Sequence, residues 1–593
     1  MRHPSSSVHT ASDVPAAAAG DPTADPAGDP AGDRRAAVVA AAVILVGIAL
    51  RGRQFAHGRP LWLDELFLAL NVTTRSFAGL AEPLAWDQSA PVLFLWLERL
   101  ALLLGGHSER ALRTPSLVAG CALLPLLWVI GRRVIGREPA LLALGFAALS
   151  PYLIYFSNEL KPYMVDGMVT LALVALTLRL LDRPDDRARW TALATAGVLA
   201  LPLSSPAIFT LGAVSMALLA QPAVRARAAG PVVAMGALWL ATFAAVYLLF
   251  LHPVASNTYL RVWFSDAFLV PSAPDFAPRL ARAAGQMTLP PLHGSIGWVS
   301  GYFPIVVAAI AAVGAVTAWR RCGLAVALLL VLPALGAVAA SALERYPVVA
   351  RTMLFAAPLT LLLVAGGIFA IAEVAGRAMT RPIAWTIGGA LALPALITNV
   401  QQAANPVVRQ DIRPAIARLL HPANAGDPLY ISRRARSAWG FYSTDWRRPD
   451  ARYLAWLEQA GSEAPRPDEW DAPAGAAAAD SNIRRVHGRV EIIQRYPVSW
   501  VRPPGRAIDT LPLARWAESE ALRLRRASSG VAWIFAVAPG ASSNRLLLRS
   551  VRRNGGRVAK VVGDADVILY RVEFEGAAAA RNSRLAAPDT EPR

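Results

Sequence analysis

Long apolar runs recur through the first two thirds of this chain, and they restrict its fold more than any other feature. They lie near 36–55, 112–131, 138–157, 163–181, 190–205, 206–220, 231–251, 296–318, 323–342, 352–373 and 382–399. A hydrocarbon core about 30 Å thick needs roughly 20 helical residues at 1.5 Å each. These runs, roughly 15–22 residues long, come close to that requirement. A soluble chain of 593 residues, even one that is 55% hydrophobic, has no need of so many uninterrupted stretches. The expected fold class is therefore an α-helical polytopic membrane protein with about 11 transmembrane helices.

The net charge of +18 does not indicate a nucleic-acid partner, because much of it sits in clusters flanking the apolar runs. Arg34 and Arg35 precede the first run, and Arg132, Arg133 and Arg137 separate the second from the third. Arg183, Arg187, Arg189, Arg225, Arg227, Arg320, Arg321, Arg377 and Arg381 continue the pattern. All fall on one side if the N-terminus is cytoplasmic, which places the C-terminus outside. Residues 1–33 are rich in Ala, Pro, Asp and Gly and are expected to be a disordered cytoplasmic tail. Residues 34–403 form the membrane domain, with a long first outer loop at 56–111 that carries interfacial helices. Strand-like runs at 428–432, 531–537 and 566–574 alternate with helical ones, so 404–577 reads as a soluble α/β domain outside. Residues 578–593 are expected to be a second disordered tail.

Charged groups beside a bilayer are functional candidates. Asp64 and Glu65 follow the first span, between Trp62 and Phe67, which suit headgroup depth. A second outer turn carries Glu159, Lys161 and Tyr163. Lys161 and Lys560 are the only lysines among 59 basic residues, so Lys161 is not explained by composition. A snorkelling cation at the interface is its plain alternative. His57, His107, His252 and His293 are scattered without ligand spacing, and Cys121 and Cys322 lie in or beside apolar runs. No metal site, cofactor or disulfide is indicated.

Pro60-Leu61-Trp62-Leu63-Asp64-Glu65 resembles the first-loop motif of the GT-C glycosyltransferases of family 39. That family includes protein O-mannosyltransferases, aminoarabinose transferases of lipid A and Rgt-type lipopolysaccharide sugar transferases. Asp87-Gln88-Ser89-Ala90-Pro91, running on to Leu97-Glu98-Arg99, is similar to the interfacial helix of its bacterial members. Glu109 to Ser116 is similar to their approach to the second span. Ser150-Pro151, the segment from Tyr155 to Tyr163 and Asp166 resemble a bacterial form of the second outer loop, and Tyr346-Pro347 with Arg351 resembles a late loop. The likeness spans residues 36–400. Ser89-Ala90-Pro91 stands where many members have His-Pro-Pro, so transfer to protein is not implied.

The resemblance implies transfer of a hexosyl or pentosyl unit from a polyprenyl-phosphate donor to a lipid, glycan or protein acceptor, with inversion. It places the chain in a bacterial cytoplasmic membrane, among membrane lipids, with the chemistry on the outer face. Asp64 is the expected base, its pKa moved toward the working range by a partly apolar site. Glu65 is expected to orient it or bind acceptor hydroxyls. Lys161 and Arg351, with Arg113 behind them, are the expected cations for the leaving phosphate. Glu159 is expected to hold Lys161, Tyr163 to touch donor or sugar, and Tyr346 and Asp87 to belong to the substrate site. A transporter or flippase shares the hydropathy, but no inverted repeat with broken helices is visible. A silent scaffold would leave the acids dispensable.

Overall fold

A computed structural model describes residues 30–252, 264–293, 303–460, 482–495, 510–528, 530–537, 541–563 and 566–574. Both expected tails lie outside these residues, apart from 30–33. Residues 30–33 are helical, correcting that part of the tail: Pro30 begins α1 (Pro30–His57), and Asp33 sits in its first turn. Proline fits the first helical position, and an acid there meets the positive end of the helix dipole.

The membrane part continues with α2 (Leu63–Thr74), α3 (Val92–Gly105), α4 (Thr114–Val134), α5 (Arg137–Leu149), α6 (Pro151–Phe156), α7 (Tyr163–Asp182), α8 (Arg187–Leu203), α9 (Ala207–Ala220) and α10 (Pro222–Val246). Then come α11 (Phe276–His293), α12 (Phe303–Cys322), α13 (Leu324–Ala342), α14 (Ala357–Glu373) and α15 (Arg377–Ala404). Among the described residues, seven helices are long and apolar enough to cross a membrane: α1, α4, α7, α10, α12, α13 and α15. The chain is a multi-pass membrane protein. The other four expected spans are helical but shorter, because the chain breaks them. Ser150-Pro151 divides the run at 138–157 into α5 and α6, with Ser150 Oγ accepting the Leu153 N–H at 3.2 Å. The segment between α10 and α12 contains the amphipathic α11.

The arginine clusters gather at one end of the bundle. Arg137 pairs with Asp33, Arg133 with Asp182, Arg321 with Glu373 and Arg381 with Glu138. These pairs are largely exposed and each contributes little stability, at most about 1 kcal/mol. The opposite end carries Asp64 and the turn around Glu159. Buried Arg51 ties α1 to this architecture: it donates to the carbonyls of Gly47, Ala147 and Ala148 and to Ser157 Oγ. In α3, Glu98 is buried with neither carboxyl oxygen partnered among the described residues, so burial raises its pKa well above the carboxylate range. Arg99 beside it donates to the last carbonyls of α2, at Val72 and Thr73.

Past α15, α16 (Arg413–Leu420), α17 (Ala435–Ser443), α18 (Ala451–Gln459), α19 (Thr510–Ala527) and α20 (Ala541–Arg553) flank a six-stranded sheet. Its strands are β1 (Leu429–Ile431), β2 (Ile483–Val486), β3 (Arg489–Ile493), β4 (Val531–Val537), β5 (Gly556–Gly563) and β6 (Val567–Phe574), in the order β2-β3-β1-β4-β6-β5. Only the two pairings of β1 are parallel. Alternation along the strands separates two cores. Tyr430, Ala532 and Ile534 face the Trp516 and Leu547 side, under α19 and α20. Leu429, Ile431, Trp533 and Phe535 join Trp439 and Leu457 in a core continuous with the helical bundle.

The contact of α12 on α14 depends on two glycines. A Cβ at Gly314 would sit 1.9 Å from the Leu363 carbonyl oxygen, and one at Gly367 the same 1.9 Å from that of Ile310. Backbones meeting this way leave no room for a side chain. Gly314→Val or Gly367→Val is expected to force the helices apart at a cost of about 1–3 kcal/mol. A lower apparent Tm in detergent than for Gly212→Val, a position with open space around it, is the check.

Candidate active site

The first turn of α2 carries the acids, and its backbone donors are unusually well supplied. A helix start leaves N–H groups without intrahelical acceptors. Here Trp62 N–H donates to Glu65 Oε2 at 3.3 Å, in the reciprocal manner of a capping box. The flanking donors are met from the C-terminal part of the chain. Leu61 N–H donates to the Tyr442 hydroxyl at 2.8 Å, and Leu63 N–H to Gln410 Oε1 at 2.9 Å. Tyr442 in turn donates to Glu109, which also pairs with Arg413 at 2.6 Å. Trp86 N–H donates to Glu458, so a second point of the same loop is held by the same part of the chain.

Glu65 is fully buried. Arg113 grips it with Nε on Oε1 at 2.8 Å and Nη2 on Oε2 at 2.6 Å, and Leu160 N–H adds a bond of 2.9 Å to Oε1. Burial alone would raise its pKa; Arg113 and Arg59 outweigh burial and hold the carboxyl below its ordinary range. Arg113 is also spent on the carbonyls of Arg59 and Pro60. Both Glu65 oxygens are thus engaged, against the expected alternative of binding acceptor hydroxyls, and Arg113, expected as a phosphate candidate, is engaged with Glu65 and two carbonyls. Together they form a buried strut beside Asp64.

Asp64, one residue earlier, keeps 24% of its side chain exposed and lies between two cations. Lys161 Nζ is 3.3 Å from Oδ1, and Arg351 Nη1 is 3.2 Å from Oδ2. Lys161 also donates to Gln88 Oε1 at 2.9 Å. Burial pushes the Asp64 carboxyl up, but Lys161 and Arg351 overcome this and hold it below its usual value. That reverses the expectation of a pKa raised toward neutrality. In the resting site Asp64 is a clamped, weakly basic carboxylate.

The group with a raised pKa is Glu159. Burial first, then the negative charges of Glu65 and Asp64, push it up to about 7, with Arg59 and Trp62 opposing. Its Oε1 accepts from Trp62 Nε1 at 2.7 Å, while Oε2 is buried with no partner among the described residues. The expected Glu159–Lys161 pairing is replaced by Lys161 on Asp64 and Gln88.

Glu159 and Arg351 line a cavity of about 930 Å³, bounded also by Trp62, Phe264, Arg279, Arg282 and Arg409. Four arginines against Glu159 and Asp266 give it a cationic lining. Arg409 lies 3.9 Å over the Trp62 ring. Tyr163 packs edge-on against Phe156 of the cavity wall at 5.4 Å. Tyr346 donates its hydroxyl to the Thr352 carbonyl at 2.7 Å and packs on Phe209. It shapes the turn that carries Arg351 instead of lining the cavity. Asp87 does not line it either. With Trp86 it adopts a left-handed backbone, φ of 64° and 53°, that presents Gln88 to Lys161.

Sequence reasoning missed Gln88, Arg409, Gln410 and Tyr442. Gln88 stood within a quoted motif, but Gln410 and Tyr442 are ordinary polar residues 347 and 381 positions from their partners. Among the described residues no group of three or more His, Cys, Asp or Glu is placed to hold a metal ion.

A multi-pass bundle with a clamped acid and a cationic cavity at one end suits an enzyme acting on an anionic membrane substrate. The comparisons agree in class. A family model described as dolichyl-phosphate-mannose-protein mannosyltransferase matches residues 89–250. This relates the chain to membrane glycosyltransferases over a stretch containing Arg113, Glu159 and Lys161 but neither Asp64 nor Arg351. No curated protein matches the sequence. Among solved structures, ArnT from Cupriavidus metallidurans bound to undecaprenyl phosphate is similar at 15% identity, with 92% of this chain and 98% of that one covered and a TM-score of 0.47. Its apo state gives 15%, 94%, 100% and 0.46. The Archaeoglobus fulgidus oligosaccharyltransferase, in complex with Zn and sulfate, gives 12%, 68%, 61% and 0.44.

Removing one member of a buried ion pair strands the other at a cost of about 3–5 kcal/mol. Arg113→Met should therefore lower the apparent Tm more than Arg381→Met, which breaks an exposed pair. Glu159 generates a pH effect. Its folded pKa, about 7, lies above the unfolded value near 4.5, so the folded state holds the proton between those limits. Its contribution to stability is present below about pH 4.5 and is lost as pH rises through 7. Glu159→Gln should flatten the fall in apparent Tm between pH 5 and 8; an unchanged slope assigns that fall to other groups.

Proposed function

We propose that this chain is a membrane glycosyltransferase that moves a sugar from a polyprenyl-phosphate donor to an acceptor hydroxyl at the outer face of the cytoplasmic membrane. The observation that supports it most is Asp64 held between Lys161 and Arg351 beside a cavity with a cationic lining. The donor's phosphate occupies the Arg351 side of that cavity, where an arginine fork suits phosphate oxygens. Arg279, Arg282 and Arg409 add positive potential around it. The N-terminus lies in the cytoplasm, so the arginine end of the bundle faces inward and the Asp64 end faces out.

In the resting site both cations neutralise Asp64. A bound phosphate competes for them, and as each moves to the phosphate the Asp64 carboxylate recovers basicity. The acceptor oxygen attacks the anomeric carbon while the bond from that carbon to the phosphate oxygen breaks. The electron pair leaves with the polyprenyl phosphate, and the acceptor proton passes to Asp64. Lys161 and Arg351 stabilise the charge growing on the leaving group. A single displacement inverts the anomeric centre.

One observation favours a second assignment of the base. Glu159 lines the cavity and already has its pKa near neutrality. Purified protein in liposomes, given a polyprenyl-phosphate sugar and the extracted acceptor, separates the two. Asp64→Asn should lower kcat by 100-fold or more with the fold intact, and Glu159→Gln by less than 10-fold. The reverse order moves the base to Glu159. Lys161→Met and Arg351→Met should raise the donor KM by at least 10-fold. Unchanged donor use in both would remove the phosphate from this cavity.

A further inference from the structure

The chain beyond Arg409 takes no direct part in the proposed reaction, yet it is bonded to both ends of the Asp64–Lys161 pair. On the Asp64 side, Gln410 lies in the segment joining α15 to α16 and is 7% exposed. Its Oε1 accepts at 2.9 Å from the N–H of Leu63, the first residue of α2 and the neighbour of Asp64. From the same direction α17 packs on α2, and its Tyr442 meets the Leu61 N–H. An amide at a helix start has no acceptor within its own helix, so its partner fixes how the first turn is entered.

On the Lys161 side the link runs through the turn at Trp86 and Asp87. Two successive left-handed residues, neither of them glycine, are strained, and such a conformation persists only where its surroundings fix it. α2 supplies half of the fixing. Asn71 Nδ2 donates to the Ala85 carbonyl at 3.0 Å, Asn71 Oδ1 accepts from Ala85 N–H at 2.9 Å, and Phe67 stacks on Trp86 at 5.7 Å. The end of α18 supplies the other half. Trp86 N–H donates to Glu458 Oε1 at 3.1 Å, and the Arg436 guanidinium lies 5.3 Å over the Trp86 ring. Arg436 is itself fastened to that helix end, donating to the carbonyls of Leu457, Glu458 and Ala460.

The strained turn delivers Gln88. Its Nε2 donates to the Trp86 carbonyl at 3.2 Å, and its Oε1 accepts from Lys161 Nζ at 2.9 Å. A neutral acceptor holds the ammonium without cancelling its charge. Lys161 therefore stays placed when a phosphate replaces Asp64 as its anion.

We propose that Gln410 and Glu458 are positioning residues: Gln410 sets the Asp64 end of the clamp, and Glu458, through Trp86 and Gln88, sets the Lys161 end. The kinetic consequence rests on the transferase reading; the geometric one does not. The C-terminal part of the chain thereby shapes the reacting centre without touching either substrate.

The test uses full-length protein in liposomes with a polyprenyl-phosphate sugar and the extracted acceptor. Gln410→Met and Glu458→Met remove the accepting oxygen with little change in side-chain length. Gln410→Met should lower kcat at least 10-fold and leave the donor KM within about 3-fold, because Asp64 is the base. Glu458→Met should raise the donor KM at least 5-fold and leave kcat within about 3-fold, because Lys161 meets the phosphate. Glu458→Gln keeps an accepting oxygen and should recover most of that loss. A general weakening of the fold would instead reduce the active fraction, lowering kcat in both variants and shifting KM in neither. That common pattern, or unchanged constants in both, overturns the proposal.

A second measurement does not need sugar transfer. Lys161 has 8% of its side chain exposed, and the only other lysine, Lys560, lies exposed on β5. Acylation by a water-soluble ester, read by peptide mass spectrometry, therefore reports Lys161 against an internal reference. Both methionine variants should speed Lys161 acylation at least 10-fold relative to Lys560, and Glu458→Gln should not. Unchanged ratios would overturn the positioning role whatever the activity. Faster acylation in a protein that transfers no sugar would uphold that role and sink the transferase reading instead.

Discussion

The buried pairing of Glu65 with Arg113 is the contact on which the arrangement of the Asp64 end depends. It joins the first turn of α2 to the start of α4, and through the Leu160 amide it reaches the turn that carries Glu159 and Lys161. An ion pair at this depth is not a cheap source of stability, because desolvating both charges cancels much of their attraction. Its value is geometric. A bidentate guanidinium fixes both distance and plane, so Asp64, on the adjacent residue, is aimed at Lys161 and Arg351.

From that strut outward, each polar group has a distinguishable duty. Gln88 steadies Lys161, Tyr346 shapes the turn that supplies Arg351, and Trp62 both bonds Glu159 and lies under Arg409. Neighbouring carboxyls are driven in opposite directions by their surroundings. Two cations hold Asp64 down, while burial and neighbouring negative charge push Glu159 up. Pairs of titratable groups with separated pKa values are a common signature of acid–base sites.

The helical architecture was legible because span length and arginine placement report directly on a bilayer. The arginine clusters do share one end, as the ion pairs from Asp33 to Glu373 record. What the hydropathy could not reveal was where a span is broken, as at Ser150-Pro151, since a serine cap and a proline change the run's mean hydropathy little. In the site, Asp64, Lys161 and Arg351 were recognised as a set from motif order. The sequence reading already separated Asp64 from Glu65, but not the pairing of Glu65 with Arg113, because nothing local links residues 48 positions apart. Strands β1, β4 and β6 stood out as apolar runs. The hairpin of β2 and β3, with its arginines, gave no comparable signal.

The donors at Leu61 and Leu63 find their acceptors at Tyr442 and Gln410, 381 and 347 residues further along the polypeptide. Chains emerge from the ribosome N-terminus first, and early parts fold before late ones exist. The segment carrying Asp64 therefore enters the membrane hundreds of residues before the groups that complete its capping are synthesised. A nascent chain interrupted before residue 442 would carry the Glu65–Arg113 strut but leave the Leu61 amide without the hydroxyl that meets it.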